Sequence, residues 1–411
     1  MAVIRPFRAL RPRKDLTSKI AALPYDVYSR KEAYEAVKND RYSFLRIDRP
    51  ETQFPEDYDM YAEEVYRKAA DMLNEMTETG EFVQDDTPCF YVYELTMGSR
   101  PQTGIVACSS VDDYLNGVIR KHENTRREKE EDRIRHVDAC SAQTGPIFLA
   151  YRGRKEIDRI VDEVKKSKPD ADFTADGDVR HRIWTIRDAD TVETIEKYFE
   201  EIPCTYIADG HHRAASAVKV SLMRREQNPG FTGEEEFNYF LSVLFPADQL
   251  KIMDYNRVLK TMNGLTGEEL LQKISEKFEI TGTSSAPIRP GRKGQVSMLL
   301  DNTWYALRCR DEFVSPDPVD GLDVAFLQKE VLSPVFGIDD PSTDNNIDFV
   351  GGIRGLEELE RRCREDCAAA FAMYPTDILE LFAVADAGRL MPPKSTWFEP
   401  KLLSGLFIHK I

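Results

Sequence analysis

The stretch CTYIADGHHRAASAV, residues 204–218, constrains the fold more than any other. An apolar run of buried-strand composition passes through Asp209 and Gly210 directly into an alanine-rich helix. A strand that turns at once into a helix belongs to a core in which helices cover a sheet, and the neighbouring segments extend the pattern. CFYVYELTM (89–97) and TGIVACSSV (103–111) read as strands joined by the breaker-rich GSRPQ, and HRIWTIRD (181–188) and FNYFLSVLFP (237–246) read as two more. DYDMYAEEVYRKAADMLNEMTETG (57–80) carries apolar residues three and four apart and predicts an amphipathic helix closed by Gly80. KEIDRIVDEVKKSK (155–168) and VETIEKYFEEI predict two further helices.

The chain has 411 residues, enough for two or three domains with cores of their own. The expected fold class is α/β (α+β): residues 1–250 form the main domain, and a smaller α+β domain follows at 251–385. GLTGEELLQKISEKFEIT predicts a helix there, VSMLLDNTWYALRC a hairpin and DGLDVAFLQKEVL another helix. Residues 386–411, a loop followed by an apolar tail, are expected to pack back on the first domain.

Fifty-six basic residues against 72 acidic ones leave a formal charge of -16, which argues against a nucleic-acid partner. The seven cysteines form no CxxC pair and read as reduced thiols. The first residues lack the apolar core of a secretion signal, and no run is long enough to span a bilayer. The expectation is a cytoplasmic protein without a membrane partner, and a homo-oligomer stays open.

Chemistry concentrates at a few junctions. In TYIADGHHR the first N–H groups of the helix lack intrahelical partners and the dipole favours an anion. Gly210 allows close approach of a phosphate, and Arg213 can fork onto its oxygens. The competing account makes Asp209 an N-cap and His211 and His212 surface residues of the first turn. A zinc site at the adjacent histidines is disfavoured, because neighbouring helical residues diverge by about 100°. HENTR follows VDDYLNGVI, read as a strand, and offers His122, Glu123 and Arg126 at a strand-to-helix junction, where a carboxylate can act as base or hold Mg²⁺. The charged DRIR that follows reads as a solvated helix face. In MPPKSTWFEPKLLSG (391–405), Lys394, Ser395, Thr396 and Lys401 suit a phosphate or carboxylate, or serve packing alone. Asp26 of PYDV either contacts substrate or caps the next helix.

Taken in order, PYDV, HENT, DGHHR, MPPKST and PKLLSG resemble the bacterial and archaeal family catalogued as domain of unknown function 1015. More distantly, DGHHR is similar to the phosphate-binding strand-turn-helix of the ParB/sulfiredoxin superfamily, which includes the free serine kinases with their DGHTR. The resemblance implies a ParB/sulfiredoxin-like nucleotide-binding core in which Asp209, Gly210, His211, His212 and Arg213 hold the phosphates of ATP or ADP. It also implies Glu123 as the base that activates a hydroxyl, with Mg²⁺ near Asp209 and Glu123 and charge stabilisation by His211 or His212. His122, Arg126, Asp26, Lys394, Ser395, Thr396 and Lys401 would surround the small-molecule acceptor. His211 stands where sulfiredoxins carry cysteine, which argues against sulfinic-acid repair, and the acidic chain argues against a ParB-type DNA clamp. The expected function is a phosphotransferase of serine metabolism acting on free L-serine and O-phosphoserine. The alternatives are a nucleotide-switched regulator without turnover and a phosphoserine phosphatase or nucleotide hydrolase.

Overall fold

A computed structural model describes the backbone of residues 1–411 and every side chain except that of Asp176. It divides into two compact units, Met1–Leu250 with Pro400–Ile411, and Lys251–Glu399.

The first unit is built on a nine-stranded mixed sheet. Its strands are β1 (Ile4–Arg5), β2 (Phe90–Met97), β3 (Arg100–Ser110), β4 (Ile119–Arg120), β5 (Ile147–Tyr151), β6 (Ala171–Ala175), β7 (Val179–Ile186), β8 (Thr205–Asp209) and β9 (Tyr239–Pro246). The order across the sheet is β4-β8-β5-β9-β3-β2-β7-β6, with β1 paired to β3. The joints β4/β8 and β5/β9 are parallel and the others antiparallel. Every residue of β5 and β9 is buried, which is why they read as unbroken apolar runs rather than alternating ones.

Five long helices accompany this sheet: α1 (Glu63–Glu78), α2 (Arg127–Cys140), α3 (Lys155–Val164), α4 (Ala189–Glu200) and α5 (His211–Gln227). Ile157 of α3, Phe199 of α4 and Ala214, Ala217 and Val218 of α5 share one core with Leu149, Ile207 and Leu244 of the sheet. The small side chains along α5 let it lie close to the strands. Met72 and Leu73 of α1 join a second core with Phe44, Phe82, Cys140 and Ile408. The tail enters this unit through His409–Lys410, which pairs antiparallel with Ala142–Gln143.

Several local readings change. VDDYLNGVI is not one strand: Val111–Leu115 is a short helix, and β4 follows as only two residues. Ser110 caps that helix by accepting from Asp112 N–H, and Asp112 and Asp113 in the first turn complement its dipole. Asp26 does not cap the helix after PYDV. It sits in the 3-10 turn Tyr25–Val27, and Ser29 caps Arg30–Val37 through a reciprocal box with Glu32. In DRIR, Arg133 is buried over the Tyr25 ring, 4.2 Å from its centroid, rather than on a solvated face.

The second unit holds an antiparallel sheet of β10 (Tyr255–Leu259), β11 (Phe278–Ser284), β12 (Gln295–Leu300), β13 (Thr303–Cys309), β14 (Ile347–Gly351) and β15 (Ala369–Met373), in the order β11-β13-β12-β15-β10-β14. Asp301 and Asn302, at φ 48° and 59°, form the two-residue turn of the β12/β13 hairpin. Helices α6 (Gly267–Lys277), α7 (Glu357–Glu365) and α8 (Ile378–Asp386) accompany it, and the expected helix in DGLDVAFLQKEVL forms as Asp323–Leu327, a π-helical Gln328–Leu332 and Ser333–Phe336. Residues 386–399 belong here rather than to the first unit, because Trp397–Phe398 pairs with Ile252–Met253.

Candidate functional site

The site is organised by the passage from β8 into α5. Strand β8 shifts register against β5 between Ile207 and Asp209, a bulge that turns the end of the strand just before Gly210. Gly210 then takes φ +91°, in the left-handed region, and is itself the N-cap of α5. No side chain caps this helix, so Asp209 is not the cap that one reading of the sequence made it. Arg213 folds back over the turn: a Cβ on Gly210 would lie 3.1 Å from Arg213 Nε and 3.2 Å from its Cζ. The glycine is therefore required twice, by its φ and by the guanidinium above it.

Arg213 is half-buried and bonded to the turn on both sides. Its Nη1 donates to the Pro146 carbonyl and its Nη2 donates to Asp209 Oδ2 at 3.0 Å. Burial alone would lower its pKa, but the negative charges of Asp209 and Asp26 outweigh it and the guanidinium stays charged. Lys401 Nζ approaches Asp209 Oδ1 at 3.5 Å from the C-terminal tail. Burial would raise the pKa of Asp209, yet Lys401, Arg213 and His211 together hold it below the ordinary carboxylate range.

The loop between β4 and α2 comes to the other side of the turn. The Arg126 backbone N–H donates to His212 Nε2 at 2.9 Å, and Glu123 Oε2 lies 3.9 Å from His211 Nδ1. The His122 and His211 rings meet edge to face with centroids 4.5 Å apart. His122 is 2% exposed and His211 6%, so His211 is a core residue, contrary to the surface reading of the paired histidines, while His212 is half-buried. His122 donates to the Ile207 carbonyl, and burial pushes its pKa down to about 4. Burial and the neighbouring His122 push His211 well below its usual value. Glu123 is half-buried. His122, Glu123 and His211 each bring one ligand-capable atom within 4.8 Å of the others. Asp209 pairs with Arg213 and Lys401.

Motifs that are distant in the chain thus converge. A small cavity of about 30 Å³ next to Arg213 is lined by Tyr25 of PYDV, Ser404 of PKLLSG, Asp48, Arg133 and Thr144. Asp48 is buried and accepts from Thr144 Oγ1 at 2.8 Å. Asp48 and Thr144 carry no motif in the sequence, Arg133 reads there as solvated, and only the neighbouring motifs hint at Tyr25 and Ser404. Asp26 is exposed. Lys394, Ser395 and Thr396 lie in the second unit, where the Ser395 hydroxyl donates to the Pro392 carbonyl and Lys394 Nζ stands 5.7 Å from the Tyr255 ring centroid.

Among solved structures, the chain is similar to a free serine kinase in complex with AMP, at 14% identity and TM-score 0.33, over 72% of this chain and 86% of that one. It is also similar to SbnI with a C-terminal truncation from Staphylococcus aureus, at 12% identity and TM-score 0.36, over 72% and 85%. A third likeness, to a conserved hypothetical protein from Pyrococcus furiosus, has 13% identity and TM-score 0.33, over 73% and 92%. No curated protein matches the sequence. The family model described as "Protein of unknown function (DUF1015)" matches residues 4–325, and the chain belongs to that family.

Proposed function

We propose that this protein moves a phosphoryl group between a nucleotide, ATP or ADP, and a small hydroxy amino acid, with free L-serine and O-phosphoserine as the pair. The observation that carries the reading is the placement of the Glu123 carboxylate beside the uncapped N-terminus of α5. Phosphoryl transfer needs a seat for phosphate oxygens and a group that takes the acceptor's proton, and here the two adjoin.

In this reading the first N–H groups of α5 hold the phosphate, and Gly210 gives it close access. Glu123 accepts the proton of the attacking hydroxyl. Arg213 fixes the turn through Asp209 and Pro146, one bond from each Nη, and its remaining donors leave it able to meet phosphate oxygens. His211 and His212 are neutral groups at the seat, with His212 Nε2 tied to the Arg126 N–H. Mg²⁺ would enter with the nucleotide and neutralise the transferring charge. Asp209 is poorly suited to hold it, with two cations already on its carboxylate. All seven cysteines are free thiols and no helix of the described residues is long and apolar enough to cross a membrane, which supports a cytoplasmic setting.

Phosphorus NMR on the protein with Mg²⁺, ATP or ADP and L-serine tests the proposal. A growing O-phosphoserine signal supports it. Nucleotide binding without a new phosphoester would favour a regulator, and release of inorganic phosphate alone a hydrolase.

A further inference from the structure

We propose that His122, Glu123 and His211 form a binding site for a divalent first-row transition cation of the zinc class, separate from the Mg²⁺ that accompanies a nucleotide. Their ligand-capable atoms lie within 4.8 Å of one another, although they come from the loop after β4 and the first turn of α5. Four-coordinate zinc with bonds of about 2.0–2.2 Å sets its ligand atoms about 3.3 Å apart. The 3.9 Å between His211 Nδ1 and Glu123 Oε2 is therefore within reach of a small rotation of the half-buried glutamate.

The histidines are built as ligands are. His122 donates to the Ile207 carbonyl, the kind of backbone bond that orients a ligating imidazole. His211 turns Nδ1 toward Glu123, so Nδ1 is its ligating nitrogen and the buried Nε2 is the outer one. Glu123 supplies the negative charge and the side open to solvent. Two imidazoles and one carboxylate suit zinc, cobalt, iron or manganese and are a poor set for Mg²⁺, which prefers oxygen. Three protein ligands leave a coordination position for water or substrate.

The inference does not rest on phosphoryl transfer: a Glu123 that ligates the cation is not free to take a proton, so metal occupancy and the base role exclude one another, and binding is read on the free protein without nucleotide. The full chain, stripped with a chelator, is titrated with Co²⁺ and followed by its visible absorption, then challenged with Zn²⁺ and separately with Mg²⁺. The expected result is one Co²⁺ per chain, displaced by Zn²⁺ and retained in excess Mg²⁺. Glu123→Ala, at a half-buried position, should keep the fold by circular dichroism and weaken Co²⁺ binding by at least about 10-fold. His122→Ala should do the same, and its fold is checked in the same way. Absence of stoichiometric Co²⁺ uptake by the wild type, displacement by Mg²⁺, or wild-type affinity in a folded Glu123→Ala protein would overturn the site.

Discussion

Glu123 Oε2 stands 3.9 Å from His211 Nδ1, so a carboxylate from the loop before α2 meets the residue that opens α5. The backbone reinforces this contact, because Arg126 N–H is bonded to His212 Nε2 in the same turn. Whatever binds at the start of α5 therefore meets a glutamate whose position depends on two separate elements.

Gly210→Ala is expected to destabilise the protein by roughly 1–3 kcal/mol, the cost of a non-glycine residue at a strained positive φ. The added Cβ would also press on the Arg213 guanidinium at 3.1–3.2 Å. Urea denaturation checks the loss, and nucleotide affinity of the folded fraction should fall with it.

Arg213→Ala should cost roughly 2–4 kcal/mol of stability, since it strands the Pro146 carbonyl and leaves Asp209 with Lys401 alone. A thermal melt reads this directly. Arg213→Lys should recover only part of it, because one ammonium cannot span both partners as the guanidinium does.

Acid should weaken the fold earlier than carboxylate titration would. Burial depresses His122 and His181 to about 4, and His136 and His211 also lie below the ordinary histidine value. In the unfolded chain these groups take up protons near pH 6.5 while the native state refuses them, so their contribution is complete above pH 6.5 and is lost as pH falls toward 4. Stability measured by urea midpoints should be flat with respect to these groups above pH 7 and decline between pH 6.5 and 4. A decline that begins only below pH 4 would contradict the assignment.

Lys401→Met keeps much of the aliphatic stem and removes the charge facing Asp209. Asp209 should then titrate at higher pH, as seen by carboxyl NMR, because the largest opposing charge to its burial is gone.

The strand-turn-helix at 205–218 could be read in the sequence because its composition changes within a few residues, and α5 does begin there. What could not be read was which residue carries the unusual φ: Asp209 is as good a cap by composition as Gly210, and only the backbone distinguishes them. VDDYL looked extended because a five-residue helix shows barely one turn of period. Arg133 looked solvated because local charge density is high, whereas its burial depends on Tyr25, far away in the chain. Lys401 reads by its charge as suiting a phosphate or carboxylate, whereas its partner Asp209 lies across the sequence in another element. The sequence pattern thus locates junctions well and says little about which charges the fold has already matched.

The most direct test of the account is the effect of Glu123→Gln on transfer, with nucleotide affinity measured in parallel. The account predicts that kcat for phosphoserine formation falls by about 10²–10⁴ while nucleotide Kd stays near the wild-type value. Wild-type turnover in the variant would contradict it.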